Sequence, residues 1–356
     1  MRGYVLGLLL LWSAPALAQT APTVPQVMQQ AVGSVIRPAM LDFKSRASGL
    51  DSALHSLCLV PAENTLAIAA QQFQQTALAY GRIEYLRLGP LMEENRVDRL
   101  LFFPDRKGIG LKQVQAILAS EDPSASTLDS LKGKSVAAQG FGALEFVLFG
   151  TGFEMLTSAE GAFRCAYGQA IAANIAEMAS EIAEGWFTPG GIADHLLAPK
   201  AEYADYRSER EALEELVGQV SHGIEAVRDA RISPFIAQGD DAAKPKLALF
   251  WRAGLTVPMI RANVDGMRRL VAVSGMARAV AAKDVALDNS IAFEFSNAER
   301  ALDLITLPVE QAVADPKQVQ ALNYLVIVTQ SLQSLMGEQL STALGLSVGF
   351  SSLDGD

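Results

Sequence analysis

Few side chains in this sequence have the chemistry of a catalytic or metal-binding residue. It contains three His and two Cys, which leaves little room for His-based catalysis or for a zinc site built from His and Cys. We find no Ser/His/Asp triad, phosphate-binding loop or dinucleotide-binding fingerprint. Candidate site residues are therefore sought among the carboxylates and arginines.

One carboxylate, Glu145, stands alone within the apolar run 141–149. It could bind a metal ion if carboxylates such as Glu84 or Glu94 converge on it, because Zn²⁺ and Fe²⁺ favour imidazole or several carboxylates. It could equally pair with Arg252, since a guanidinium fits a carboxylate. An ordinary exposed Glu is the third alternative, and we favour the pair with Arg252.

Two further groups have polar residues at suggestive positions. Asn95, Asp105 and Arg106 lie at a break after a helix, where they could line a cleft that binds an anion or a metal chelate, or form a turn with capping contacts. His222 and Glu225 have the three-residue spacing of a metal pair. We expect His222 on a solvated face, because it lies about 200° round the helix from the apolar stripe.

The elements that must position these residues are predicted to be helices. Apolar residues recur every three or four positions, as in an amphipathic helix, at Phe163, Tyr167, Ile171, Ile175, Met178, Ile182 and Trp186. The alternating pattern of a strand is nearly absent. We predict an all-α protein with two helical-bundle domains, 26–150 and 160–350, because breaks cluster between them.

The two halves share short matches in the same order. Residues 85–89 and 250–254 both read aromatic-x-Arg-x-Gly, and residues 143–146 match 292–295 as Ala-x-Glu-Phe. These matches suggest an internal duplication in which each half presents an Arg and a Glu, Arg87 with Glu145 and Arg252 with Glu294.

Residues 1–18 have the pattern of a cleavable signal peptide, with Arg2, a short apolar run and Ala16-Leu17-Ala18. No Cys lies at the cleavage point, so a lipoprotein is not expected, and no later stretch is apolar enough to span a membrane. We expect a periplasmic protein. In that oxidising compartment Cys58 and Cys165 could form a disulfide or remain two buried thiols.

Composition excludes two classes of protein. The formal net charge is −10, which disfavours nucleic acid as a partner because phosphates favour a basic face. Half of the residues are hydrophobic, so the chain can bury a core and disorder is not expected.

Several pieces occur in a fixed order over essentially the whole mature chain: Leu88-Gly89-Pro90, Phe103-Pro104-Asp105-Arg106, Gly140-Phe141-Gly142-Ala143-Leu144-Glu145 and Trp251-Arg252-Ala253-Gly254. In these pieces the chain resembles the imelysin-like proteins of bacterial envelopes. The resemblance implies two helical bundles with a site between them, a link to iron uptake, and the metallopeptidase activity for which the family is named.

The family signature, Gly-x-His-x-x-Glu, maps onto Gly140, Gly142 and Glu145, so the His position is Gly142. A His and a Glu three residues apart share a helix face and can bind one metal ion. Here only Glu145 remains as a candidate ligand for iron or another divalent metal, no cofactor is assigned, and the loss of the motif His favours a protein that is not an enzyme.

We therefore expect an exported binding or accessory protein connected with iron uptake. The candidate binding residues are Glu145, Arg252, Arg87, Asp105, Asn95, Gly140 and Gly142. An iron ion, an iron chelate or an envelope protein would be its partner. The alternatives are a metallopeptidase and a structural or protein-interaction module with a vestigial site.

Overall fold

The computed structural model describes residues 21–105, 107–281 and 284–347, and the predicted signal segment, 1–18, lies outside them. Within these residues the chain is helical and has no β-strand, only an isolated antiparallel bridge between Gln238 and Asp241. The prediction of an all-α protein is confirmed.

The α-helices are, in chain order, α1 (Val24–Gln30), α2 (Arg37–Leu59), α3 (Glu63–Gly81), α4 (Arg96–Leu100), α5 (Ile109–Ser120), α6 (Leu128–Leu131), α7 (Phe141–Phe149), α8 (Ala162–Gly185), α9 (Ile192–Leu197), α10 (Glu209–Ala226), α11 (Thr256–Ser274), α12 (Ala286–Asp303), α13 (Val309–Ala312), α14 (Pro316–Gln333) and α15 (Ser341–Leu344). Three π-helical segments continue α-helices, at Ala31–Ile36, Val227–Ile232 and Ser334–Leu340.

Helix α8 shows how the apolar pattern produces the fold. The buried residues Tyr167, Ile171, Ile175, Met178 and Ile182 lie along one side of it, because a spacing of three or four residues brings side chains to the same face. The observed helix, Ala162–Gly185, differs by one residue at each end from the predicted 163–186.

The helices pack in two groups. Helix α2 lies against α8 and α3, and α7 packs on α8. In the second group α12 packs on α14, α10 packs on α14, and α11 contacts both α10 and α3. Helix α8 thus packs with the N-terminal group although it follows residue 160. The domain bounds 26–150 and 160–350 stay a prediction.

A disulfide joins Cys58, in the last turn of α2, to Cys165, in the first turns of α8. The two Cα atoms are 5.6 Å apart, a usual separation for a disulfide. It ties together the two helices that make the most extensive contact in the first group.

Among the helices that the structure describes, none is both long and apolar enough to cross a bilayer.

Candidate functional site

A cavity of about 700 Å³ lies between three parts of the chain. Its wall is formed by residues from 101–114, by the first turns of α7, and by residues from 229–252, between α10 and α11. Sites for small organic ligands commonly have volumes of about 300–1,000 Å³. The cavity is therefore large enough for such a ligand.

Close backbone packing fixes the start of α7 at this cavity. A Cβ atom on Gly140 would overlap the carbonyl oxygens of Arg99 and Leu100, so only glycine fits there. The turn before it is held by the hydroxyl of Tyr167, which donates to the carbonyl oxygen of Ala138 at 2.8 Å. This close packing explains why glycine occupies the first position of the motif.

The other end of α7 is capped by a buried arginine. Arg164 donates to the carbonyl oxygens of Phe146, Val147 and Gly150 at 2.7, 2.8 and 3.3 Å. These carbonyls lie at the C-terminal end of the helix, where the helix dipole favours a cation. Burial lowers the pKa of Arg164 from its ordinary value. Helix α7 is therefore held at both ends.

Glu145 lies in the second turn of α7, and only 5% of its surface is exposed. Its Oε1 accepts hydrogen bonds from the backbone N–H groups of Arg252 and Ala253 at 3.0 and 3.2 Å. Its Oε2 lies 3.6 Å from Nη1 of Arg252. Both oxygens of this carboxylate are thus directed at one short segment of the opposite wall.

That segment is a tight turn with one strained residue. Phe250 has a φ of +54°, which is rare for a bulky side chain. The turn is closed by Leu255 N–H, which donates to the carbonyl oxygen of Phe250 at 3.0 Å, and by the hydroxyl of Thr256, which donates to that of Leu249 at 2.7 Å. Arg252 lies at its tip.

The guanidinium of Arg252 lies between aromatic rings, 4.5 Å from the centroid of Trp251 and 5.4 Å from that of Phe146. Cation–π contacts of this kind stabilise the guanidinium charge where it is partly shielded from water. Burial raises the pKa of Glu145 from its ordinary value, and the charge of Arg252 and the hydrogen bonds offset only part of that rise.

Gly142 is exposed in the first turn of α7 and lines the cavity. A Cβ atom there would meet nothing within 4 Å. It is three residues from Glu145, so both residues lie towards the cavity on one face. The position that carries His in the family signature is therefore open space here.

The residues of this cavity do not fit a resident metal ion. Gly142 supplies no ligand, Oε1 of Glu145 already accepts from the N–H groups of Arg252 and Ala253, and Oε2 faces the guanidinium of Arg252. In the part of the chain that the structure describes, no group of three or more His, Cys, Asp or Glu could hold a metal ion.

Asp105 lies in the cavity wall and also caps a helix. Its carboxylate accepts from the N–H groups of Ile109 and Gly110 at 2.7 and 2.8 Å, at the start of α5. Asp105 therefore makes the capping contacts and lines the cavity, and its role in binding stays a prediction. Its neighbour Arg106 lies outside the described residues.

The structure does not bring Arg87 and Asn95 to this cavity. The backbone of Arg87 is held in a turn by Gln219, whose Oε1 accepts its N–H at 2.7 Å. Asn95 is exposed, has a φ of +56° and precedes α4. Neither residue lines the cavity, so their binding role has no support from position.

The other carboxylates considered for a shared metal site also have separate partners. Glu84 pairs with Arg231 at 2.9 Å and accepts from Asn263 at 2.7 Å. Glu94 is exposed and lies 3.8 Å from Arg96. The internal duplication pairs Glu145 of the first half with Glu294 of the second. Glu294 accepts a hydrogen bond from Ser331 at 3.0 Å, whereas Glu145 pairs with Arg252. The internal duplication stays a prediction.

The sequence placed His222 on a solvated face, whereas the structure shows it half-buried. Sequence reasoning missed that Glu225 is buried, with an Oε2 that has no hydrogen-bond partner among the described residues. It also missed Lys246, whose Nζ lies 5.6 Å from the ring centroid of Trp251 in the cavity wall. Lys246 lies in a single 3₁₀ turn, Pro245–Leu247, which is too short to show a periodic pattern in the sequence.

We compared the sequence with models of protein families and the fold with solved structures. The family model described as Imelysin (Peptidase_M75) matches residues 36–336, most of the chain. A search of curated protein sequences finds no match.

Two solved structures share the fold. An imelysin-like protein from Psychrobacter arcticum 273-4 superposes with a TM-score of 0.77 and 18% identity, over 92% of this chain and 98% of that one. A protein described as an iron-regulated protein A precursor, from Parabacteroides distasonis ATCC 8503, has a TM-score of 0.69 and 13% identity, over 90% of this chain and 97% of that one.

Proposed function

The chain belongs to the imelysin family, and from this premise we propose that it is an exported, periplasmic binding or accessory protein connected with iron uptake. Its ligand occupies the cavity beside Glu145 and Arg252. Support for the link to iron comes from the family resemblance and from the name of one protein of the same fold, an iron-regulated protein A precursor.

One observation favours a binding protein over a metallopeptidase. The single carboxylate of the family motif is used to hold the turn that presents Arg252, and the position of the motif His is open. A metallopeptidase needs a metal ion that activates water. The cavity is instead a preformed space with aromatic and cationic walls, which suits a ligand.

The disulfide supports the proposal of export. Disulfides persist in oxidising spaces such as the periplasm and are rare in the reducing cytosol. The signal-like segment, residues 1–18, is the second feature that supports it.

The proposal is tested by filling the cavity. Gly142→Trp places a large side chain in open space of the cavity wall, on a helical residue without a positive φ. Gly218→Trp is the matched control, because Gly218 is a helical glycine in α10 that also has open space around it and does not line the cavity.

Iron uptake is measured in cells that lack the native gene and carry one of these variants. We expect Gly142→Trp to reduce uptake to the level of the deletion while Gly218→Trp restores it. Equal uptake by the two variants, with both present at native levels, would contradict a role for the cavity.

A further inference from the structure

The carboxylates in the cavity wall all have partners within the chain. Each accepts from a backbone N–H or lies within ion-pair distance of a cation, as follows: Asp105 with the N–H groups of Ile109 and Gly110, Glu145 with Arg252 and Ala253, Asp229 with Arg228, and Asp241 with Lys244. None of these four carboxylates is therefore left without a partner to bind a ligand cation.

Among the described residues, Lys246 is a cation of the wall without a carboxylate partner, and Arg252 shares its carboxylate, Glu145, with two backbone N–H groups. Lys246 has no carboxylate within ion-pair distance among the described residues, and its Nζ lies beside the ring of Trp251. Arg252 approaches Glu145 only at 3.6 Å, its side chain is 21% exposed, and it lies beside the same ring. Both present N–H donors to one aromatic part of the cavity.

The start of α7 supplies further N–H donors to the cavity wall. Its N-cap residue, Gly140, has no side chain that could accept from the free N–H groups of the first turn, and that turn lines the cavity. The start of α5, in the same wall, is already capped by Asp105. Uncapped N–H groups and the helix dipole favour an anion.

We propose that the cavity binds a planar organic anion, with its ring against Trp251 and Phe103 and its carboxylate between Lys246 and Arg252. The proposal rests on the proposed function and specifies the chemistry of its ligand. Half-buried aromatic side chains, Phe102, Phe103 and Trp251, supply the apolar surface. Iron then reaches this site as a chelate with an organic anion and not as a bare cation.

Calorimetry with two probes of one shape tests the charge preference. Salicylate is an aromatic carboxylate, and salicylamide is its neutral counterpart. We expect the native protein to bind salicylate at least about tenfold more tightly than salicylamide, because charge-assisted hydrogen bonds are about twice as strong as neutral ones.

Lys246→Gln should weaken salicylate binding about tenfold and leave salicylamide unchanged. Lys132→Gln is the matched control, since Lys132 pairs with Glu177 and does not line the cavity. Arg252→Gln tests the second cation, and circular dichroism of each variant checks the fold. Equal affinity for the two probes, no binding of salicylate, or an unchanged affinity in Lys246→Gln would overturn the proposal.

The outcome also separates this proposal from the proposed function. If salicylamide binds as well as salicylate and Gly142→Trp abolishes both, the cavity is a ligand site and only the preference for an anion is wrong. If Gly142→Trp leaves cellular iron uptake at the native level, the proposed function itself fails.

Discussion

Glu145 connects two segments that are 107 residues apart in the chain. Its carboxylate accepts the N–H groups of Arg252 and Ala253 and lies beside the guanidinium of Arg252. These contacts fix the turn that forms one wall of the cavity. At the scale of single residues, the motif carboxylate therefore has a positioning role.

Substitutions of Glu145 should separate hydrogen bonding from charge. Glu145→Ala leaves two N–H groups of a half-buried turn without an acceptor and Arg252 without its carboxylate, so we expect it to lower the free energy of unfolding by about 3 kcal/mol. Glu145→Gln keeps an acceptor oxygen and should cost less than about 1 kcal/mol. Urea unfolding followed by circular dichroism measures both. Equal losses in the two variants would show that the hydrogen bonds do not hold the turn.

The titration of the buried Glu145 carboxyl should make the free energy of unfolding depend on pH. Burial raises the pKa of Glu145 in the folded protein above the ordinary value of 4.5, so the folded state favours the protonated form. Its contribution is fully present below that value and is lost as pH rises through the folded pKa.

Because Gln does not titrate, the stability of the native protein relative to Glu145→Gln should fall as pH rises from acid to neutral. Urea unfolding of the two proteins across this range measures the difference. A difference that grows with pH would mean that the pKa of Glu145 is lowered in the fold.

The two motif glycines should respond in opposite ways. Gly140→Ala places a Cβ atom against the carbonyls of Arg99 and Leu100, and we expect a loss of about 3 kcal/mol in the free energy of unfolding. Gly142→Ala meets open space within a helix and should raise stability by about 0.5 kcal/mol. Thermal and urea unfolding compare the pair, and a neutral Gly140→Ala would contradict the close packing.

At the scale of elements, α7 is the helix on which the site depends. Apart from Gly142, its residues are buried or half-buried, as expected of a helix that is apolar on all sides. Gly140 fixes its start and Arg164 its end. Gly142 is the exposed residue of this helix, and it lines the cavity together with Glu145 and Phe146.

The contact between α2 and α8 depends on the disulfide that joins them. Cys58 and Cys165 are 107 residues apart in sequence, and closing a loop of that length is worth about 4 to 5 kcal/mol in the chain-entropy treatment. We expect the double variant Cys58→Ser with Cys165→Ser to lose about that much in urea unfolding. The native protein should lose it on reduction, and reductant should not affect the variant. A loss below about 1 kcal/mol would contradict this role.

At the scale of the whole molecule, the sequence predicted the fold class far better than the site. Helix α8 was placed to within one residue at each end, because burial along a helix repeats with the period of the helix. The pairing of Glu145 with Arg252 was one of three open alternatives, since no periodic pattern links residues 107 positions apart.

The cavity itself could not be predicted. Two of its walls come from largely irregular segments, within 101–114 and 229–252, and their shape depends on packing between helices that are distant in sequence. Arg87, chosen from a short sequence match, and Asn95, chosen for its place at a break after a helix, lie elsewhere because local turns hold them. Lys246 lies in the wall but follows no recognisable motif.

The most direct test of the account is calorimetric titration of the native protein and Glu145→Gln with Fe²⁺, Fe³⁺ and Zn²⁺. We expect the two proteins to behave alike, with no binding that depends on Glu145, because its oxygens are held by the turn at Arg252. Binding of one metal ion per native chain that is lost in Glu145→Gln would show that this carboxylate is a metal ligand and would contradict the account.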